Sequence, residues 1–521
     1  MARRWIRSWV RSVETRTRRD ARAGGRRRLP SVLLAWVAAA AASAAGAVTL
    51  DAAIAAYEKR DLPTAYRQFQ ALARIGNGLA QYNLGVMLLN GEGVPRSVRE
   101  GYYWLMCAAD HGVADARPLL EQIGAQVKPE VTEKARGCVA TAGREAALAM
   151  VPALPLLEDW KANVPARPVG TFESVFPDSA RGRRLIGWVD TELTLGADGR
   201  VRDLWVLESF PEGFFEEAAL DSLRAQKFEP AKVAGQAVEI VVPFRFRFGG
   251  YDGIGVRPVE GLEPLLQRFE GEAGQGKAGS QYVLYRLGDT FRELRDRIDW
   301  RTWGRKSFDA GFGPAIFRSG YCNVMGLGDC LASGRSEGRD DLRRIAVSGG
   351  SAAQLVLGRL ALAERSEEGY QRAVRWLEAA QVDGDRWAAR YLAVALLSSG
   401  DPARRDGPRA LALVEPLLVD PLMKGDPSTW QIAAAAYAEV GRFADARAAQ
   451  DRAIERARRY SWAPEELAAR RKDYEEGRRA GGPPLQLAAR RGALGGDRDR
   501  RIEACQESGA TGTRVSDCRA P

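Results

Sequence analysis

Two hydrophobic periods alternate along the chain. From Leu50 to Lys59 and from Pro63 to Arg74, apolar residues and alanines recur at i, i+3 and i+4, the spacing of one helix face, with Arg60-Asp61-Leu62 as the turn between them. Between Leu185 and Phe248 the period falls to two. Val189, Thr191, Leu193 and Leu195 alternate with Trp188, Asp190, Glu192 and Thr194, which predicts a half-buried strand. Gly196-Ala197-Asp198-Gly199 then predicts a hairpin turn onto a second strand over Val201 to Leu207. Phe215, Ala218, Ala219, Leu220 and Leu223 return to helical spacing, so a helix is expected from about Phe214 to Gln226, stopped by Phe228 and Pro230. The run from Val238 to Phe248 alternates once more, with Phe244, Phe246 and Phe248 opposite Arg245 and Arg247. The order strand, strand, helix, strand predicts a small antiparallel sheet packed on one helix.

These residues carry a resemblance. Gly187 and Val189, the Asp198-to-Val201 turn, Ala218-Ala219-Leu220, Phe228 and Pro230, Gly235 and a last strand of alternating Phe are similar, as an ordered set, to the C-terminal domain of TonB-type energy transducers. The resemblance implies a periplasmic domain that pairs a short extended peptide from an outer-membrane transporter to a sheet edge. An open edge offers unpaired N–H and C=O groups for that purpose. The peptide-binding edge so implied is the run Val238, Ile240, Val242, Phe244 and Phe246, with Arg245 as a polar clamp. A module that merely fills space between two helical arrays is the other reading.

The segment from Gly78 to Ala116 reads A-Q-Y-N-L-G, N-G-E-G-V, Y-Y-W-L, A-A and H-G in order, and resembles a Sel1-like repeat, a helix–loop–helix relative of the tetratricopeptide repeat. Ala80 and Ala116 lie 36 residues apart, as do Ala353 and Ala389 in a second, degenerate unit that begins at Gly350. Residues Thr429 to Ile454 resemble one tetratricopeptide repeat through Tyr437, Gly441, Phe443 and Ala446. Small residues let paired helices cross closely, and Trp104 would fill the groove between units. Stacked repeats leave a concave face as the expected partner surface, and Tyr103 and Trp104 are candidates on the repeat surface.

The expected fold class is therefore α+β and multidomain, an α-helical Sel1/TPR-like solenoid interrupted by a small ββαβ TonB-C-like domain. The expected divisions are a leader at 1–47, N-terminal repeats at 48–150, a proline-containing linker at 151–182, the TonB-C-like domain at 183–250, a divergent helical region at 255–345, further Sel1/TPR-like repeats at 346–478 and a disordered tail at 479–521.

Charge changes the picture only at the N-terminus. The net charge is +10, but residues 1–47 hold 11 Arg against Glu14 and Asp20, so the body is close to neutral and nucleic acid is not an expected partner. That basic stretch, the apolar run from Val32 to Ala47 and the small residues Ala45-Gly46-Ala47 predict a secretory signal cleaved near Ala47 and a periplasmic protein. The alternative is an uncleaved inner-membrane anchor, with membrane contact only in that case; the run is short of the roughly 20 apolar residues of a spanning helix. The six cysteines fall into three local couples, Cys107 with Cys138, Cys322 with Cys330 and Cys505 with Cys518, expected as disulfides in an oxidising compartment.

Catalytic chemistry is not expected. The only His, His111, sits in a repeat-closing turn; Ser-His-Asp and Cys-His schemes must all use it, and none of the surrounding residues marks a nucleophile. The cysteine spacing, with no C-x-x-C and a single His, does not suit zinc, and the Gly249-to-Gly255 run follows the final strand without an obvious helix to cradle phosphate. Neither a catalytic nor a metal site is assigned, and no cofactor is implied. The expected function is an exported scaffold that engages envelope proteins or peptides, outer-membrane transporters among them. The alternatives are an energy transducer with an inner-membrane motor, and a cell-wall hydrolase built on paired carboxylates.

Overall fold

The computed structural model describes residues 49–124, 127–143, 150, 166–170, 176–181, 185–248, 258–325, 330–331, 335–381, 384–460, 462, 464–479, 482–485 and 487. The leader, Cys505, Cys518 and nearly all of the expected tail lie outside these residues, as does the side chain of Cys138.

The described residues begin with helices α1 (Leu50–Glu58), α2 (Leu62–Arg74), α3 (Gly78–Asn90), α4 (Val98–Asp110), α5 (Ala116–Gly124) and α6 (Pro129–Ala142). Side chains set their starts: Thr49, Asp61, Asn77 and Ser97 each accept a backbone N–H of the first turn, which satisfies a donor the helix cannot. After the sheet domain come α9 (Pro258–Gly274), α10 (Ala278–Thr290), a 3₁₀ turn (Arg292–Leu294), α11 (Trp300–Asp309), α12 (Gly313–Met325), α13 (Arg335–Val347), α14 (Ser351–Ala363), α15 (Glu367–Gln381) and α16 (Arg386–Leu397). Helices α17 (Gly407–Val414), α18 (Pro427–Glu439), α19 (Phe443–Arg459) and α20 (Pro464–Glu475) close the array.

One hydrogen bond identifies the repeat unit. Gln81 Nε2 donates to the carbonyl of Ala73, Gln281 to that of Ala273 and Gln354 to that of Ala346, in each case eight residues back, tying one helix to the end of the previous one. A repeat at α10–α11, inside the expected divergent helical region, is thus as regular as the one at α3–α4. Close crossings explain the small residues. A Cβ on Gly85 would lie 2.9 Å from Leu105, and one on Gly358 would lie 2.6 Å from Leu377.

The sheet domain carries β2 (Gly187–Leu195), β3 (Val201–Phe210), α8 (Glu216–Ala225) and β7 (Ile240–Phe248), preceded by β1 (Arg167–Pro168) and α7 (Asp178–Arg181). Its three-stranded antiparallel order is β3-β2-β7, with Val189 opposite Phe246 and Asp190 opposite Arg245. Two small pairings were not foreseen: β1 with β4 (Phe228–Glu229), and β5 (Ala231–Val233) with β6 (Gln236–Val238). The expected single run from Val238 to Phe248 is therefore divided at Glu239. Val238 faces Ala231 in the β5–β6 hairpin and does not belong to β7.

The larger correction concerns the second face of the sheet. One face packs on Leu220 and Leu223 of α8 and on Phe215, whose ring stacks on Phe248 at 4.5 Å. The other face, carrying Trp188, Asp190, Glu192, Thr194, Asp203 and Trp205, is equally buried, so β2 is covered on both sides. What covers it is the helical array. Alternation of polar and apolar residues in β2 therefore marks two unlike interiors, not an interior and a solvent face.

Candidate functional site

The inner helices of the array each send a cation or a hydroxyl to the acids of that face. Arg286 on α10 reaches Asp190 at 2.8 Å and Glu208 at 3.4 Å, and Tyr282 one turn earlier donates to Glu208 at 3.0 Å. From α12, Arg318 meets Asp190 at 2.9 Å and the Tyr321 hydroxyl donates to Glu192 at 2.9 Å. Arg359 on α14 pairs with Glu192 and, at 2.9 Å, with Asp203. Helix α16 supplies Arg390 at 2.7 Å and Tyr391, whose hydroxyl donates to Asp203 at 2.7 Å. The guanidinium of Arg286 also lies over the Trp188 ring, and that of Arg359 over Trp205. Beyond the sheet, Arg224 of α8 meets Asp426 at 3.4 Å and the Leu422 carbonyl at 3.0 Å, while Ser428 donates to the Arg202 carbonyl of β3.

The electrostatics are those of a closed network. Burial alone would raise the Asp190 carboxyl, but Arg245, Arg286 and Arg318 override it and hold the group well below the usual carboxylate range. Asp203 is lowered in the same way, against burial, by Arg390 and Arg359 and by the Tyr391 hydroxyl. Burial and then the Glu208 charge push the Tyr282 phenol well up. Carboxylates depressed in the folded state add stability that is present in full above about pH 4, the unfolded carboxylate range, and is lost as pH falls below it. The near-ultraviolet circular dichroism of the buried Trp188 and Trp205 is accordingly expected to stay flat from neutrality to about pH 5 and to collapse below about pH 4. A transition centred near neutrality would contradict the network.

The sequence-derived residues land unevenly. Ile240, Val242 and Phe246 are buried on β7, which stands at one border of the sheet, and Phe244 is half-buried. Arg245 is not a clamp held out for a guest: its guanidinium lies 2.6 Å from Asp190 and 2.8 Å from Asp289, inside the network. Tyr103 and Trp104 are half-buried, edge to face at 5.1 Å, and pack against Cys107 and Ala142, so they belong largely to the interior of the first repeat. Cys322 and Cys330 form a disulfide at the end of α12; Cys107 is disulfide-bonded as well. His111 closes α4, its Nδ1 at 3.0 Å from the Cys107 carbonyl. Among the described residues no group of three or more His, Cys, Asp or Glu side chains could hold a metal ion.

Comparison with known proteins follows this division of the chain. Residues 173–248 match the family described as Gram-negative bacterial TonB protein C-terminal, and residues 78–113 match the Sel1 repeat. Protein TonB of Pseudomonas aeruginosa is 32% identical over 72 residues, which are 14% of this chain and 21% of that protein, so the match spans about a fifth of the relative's length. Among solved structures, a protective antigen of uropathogenic Escherichia coli strains displaying an SLR fold aligns over 87% of this chain and 80% of its own, at 15% identity and a TM-score of 0.25. Both matched domain types are protein-interaction modules. The chain carries a TonB C-terminal-like domain flanked by Sel1-like and tetratricopeptide-like helical repeats.

Proposed function

We propose that the chain is an exported, periplasmic scaffold that holds envelope proteins or peptides, with the TonB-C-like domain built into the repeat array as a fixed part. The observation that carries this reading is the buried face of the sheet. Helices α10, α12, α14 and α16 all send arginine or tyrosine onto Asp190, Glu192, Asp203 and Glu208, so the domain is held by its own repeats and does not swing on a tether. A force-transmitting domain needs slack to reach its target; a scaffold needs rigidity. β7, at a border of the sheet, is the strand along which an extended guest would add. The TonB match favours a second reading, an inner-membrane energy transducer.

The two readings separate experimentally. Release of the mature protein by osmotic shock is expected for the scaffold, whereas retention in the inner membrane after an alkaline wash supports the transducer. A photo-reactive residue replacing Pro243, half-buried on β7, is expected to crosslink the full chain in cells to an extended segment of an envelope protein. Absence of any such adduct would remove β7 as the guest strand.

A further inference from the structure

Past α20 the chain turns back onto the array. Gly477 and Gly482 carry the turns at φ +68° and +77°, and Arg479 is tied to Glu439 of α18 at 3.1 Å. Pro484, Leu485 and Leu487 are then buried, although this stretch is neither helix nor strand. Among the described residues, no backbone group from 482 onward is hydrogen-bonded to another backbone group. Side chains hold the segment instead, by its carbonyls. Arg470 of α20 donates to that of Pro483 at 2.6 Å, and Arg365, in the turn between α14 and α15, donates to that of Leu487 at 3.1 Å. A stretch of chain gripped by two guanidinium groups and two sunken leucines, with no ladder of its own, is held as a bound peptide is held.

Arg365 is placed for this contact by the sheet domain. It is a non-glycine residue at φ +52°, a conformation that persists only where the surroundings enforce it. The same Nη2 that meets the Leu487 carbonyl also meets Glu239 at 3.2 Å, at the corner where β6 gives way to β7. The groove is thus assembled from three distant parts of the chain: α20, the α14–α15 turn and the Glu239 corner. Its occupant suits it. Pro483 and Pro484 fix φ and keep the backbone out of a helix, so little freedom is lost on docking, and Leu485 and Leu487 supply the apolar surface.

We propose that this groove is a peptide-binding site, filled by the chain's own Pro483–Leu487 and open by exchange to a non-helical, proline- and leucine-containing segment of a partner protein. The tethered tail acts as a built-in competitor whose local concentration a partner must exceed. The inference rests on the scaffold reading and names the chemistry of its partner.

The test uses full-length protein and a fluorescent synthetic peptide with the sequence of residues 482–489, against a control peptide with serine at both leucines. Leu485→Ser combined with Leu487→Ser empties the groove, and this variant is expected to bind the peptide at least about tenfold more tightly than wild type and to ignore the control. Adding Arg470→Ala is expected to weaken that binding about tenfold, the loss of one charged hydrogen bond. A full-length chain carrying a protease site at position 480, cut after folding, presents the groove with no substituted core residue; excess peptide is expected to displace its tail. The proposal is overturned if the emptied variant does not bind the peptide, if it binds no more tightly than wild type, if Arg470→Ala is silent, or if the cut tail stays in place at saturating peptide. It is overturned too if wild type sediments as a dimer that the two serines disperse, because the guest is then a second copy's tail. None of these outcomes bears on crosslinking from position 243 or on fractionation, so failure here is distinct from failure of the scaffold reading.

Discussion

Asp203→Ala is expected to destabilise the folded chain by about 3–5 kcal/mol, because it removes a buried carboxylate shared by two buried arginines and leaves Arg359 to Glu192 and Arg390 to Asp426 at 3.6 Å. Asp203 is fully buried and receives Arg390 at 2.7 Å, Arg359 at 2.9 Å and the Tyr391 hydroxyl at 2.7 Å. The loss is read as a fall in the urea midpoint of the transition reported by Trp205 and Trp188, a midpoint being preferable to an extrapolated free energy in a chain of many repeats. The cause is removal of one partner and not loss of an attractive pair as such. If Asp203→Ala shifts the midpoint by no more than an exposed Asp→Ala control, the network is not holding the domain.

Gly199→Ala is expected to be nearly as damaging, by about 3 kcal/mol or more, from a different source. Gly199 ends the hairpin turn with φ +74°, and a Cβ there would lie 1.8 Å from the Phe228 carbonyl oxygen. The approach is close because Phe228 N–H donates to the Gly199 carbonyl at 2.9 Å, docking β4 against the turn. Relief requires moving backbone, not a side chain. Gly213→Ala makes the control: φ is +84° but no atom lies within 4 Å of its Cβ, so only the left-handed conformation is penalised, by about 1–2 kcal/mol. Equal thermal shifts for the two variants would show that the Phe228 contact is not rigid.

What could be read from the sequence was whatever is encoded locally. The β2 alternation, the Gly196-to-Gly199 turn, the apolar stripe of Ala219, Leu220 and Leu223, and the Gly78-to-Ala116 repeat all have their signals within a few residues of one another, and each element stands where expected. The polar face of β2 was legible as a face but not as an interior. Asp190 and Glu192 read as solvated because the cations that bury them, Arg286, Arg318 and Arg359, lie roughly a hundred residues or more farther along. An arginine in a helix gives no local sign of what it will meet. One internal clue existed: Arg286 and Arg359 occupy the same place relative to Gln281 and Gln354, whereas Val86 stands there in the first repeat. Arg245 misled for a related reason. Its position opposite Asp190 across two strands is fixed by register, and register was not part of the alternation that identified β7.

The fixed docking of the sheet domain is tested most directly by hydrogen exchange on the full chain, comparing wild type with Arg359→Ala. If the array and the domain open as one body, exchange quickens together in α14 and in β2 and β3, strands that share no sequence neighbourhood with the substituted residue. If α14 alone loses protection while Gly187–Leu195 exchanges as in wild type, the domain stands on its own and the scaffold account fails.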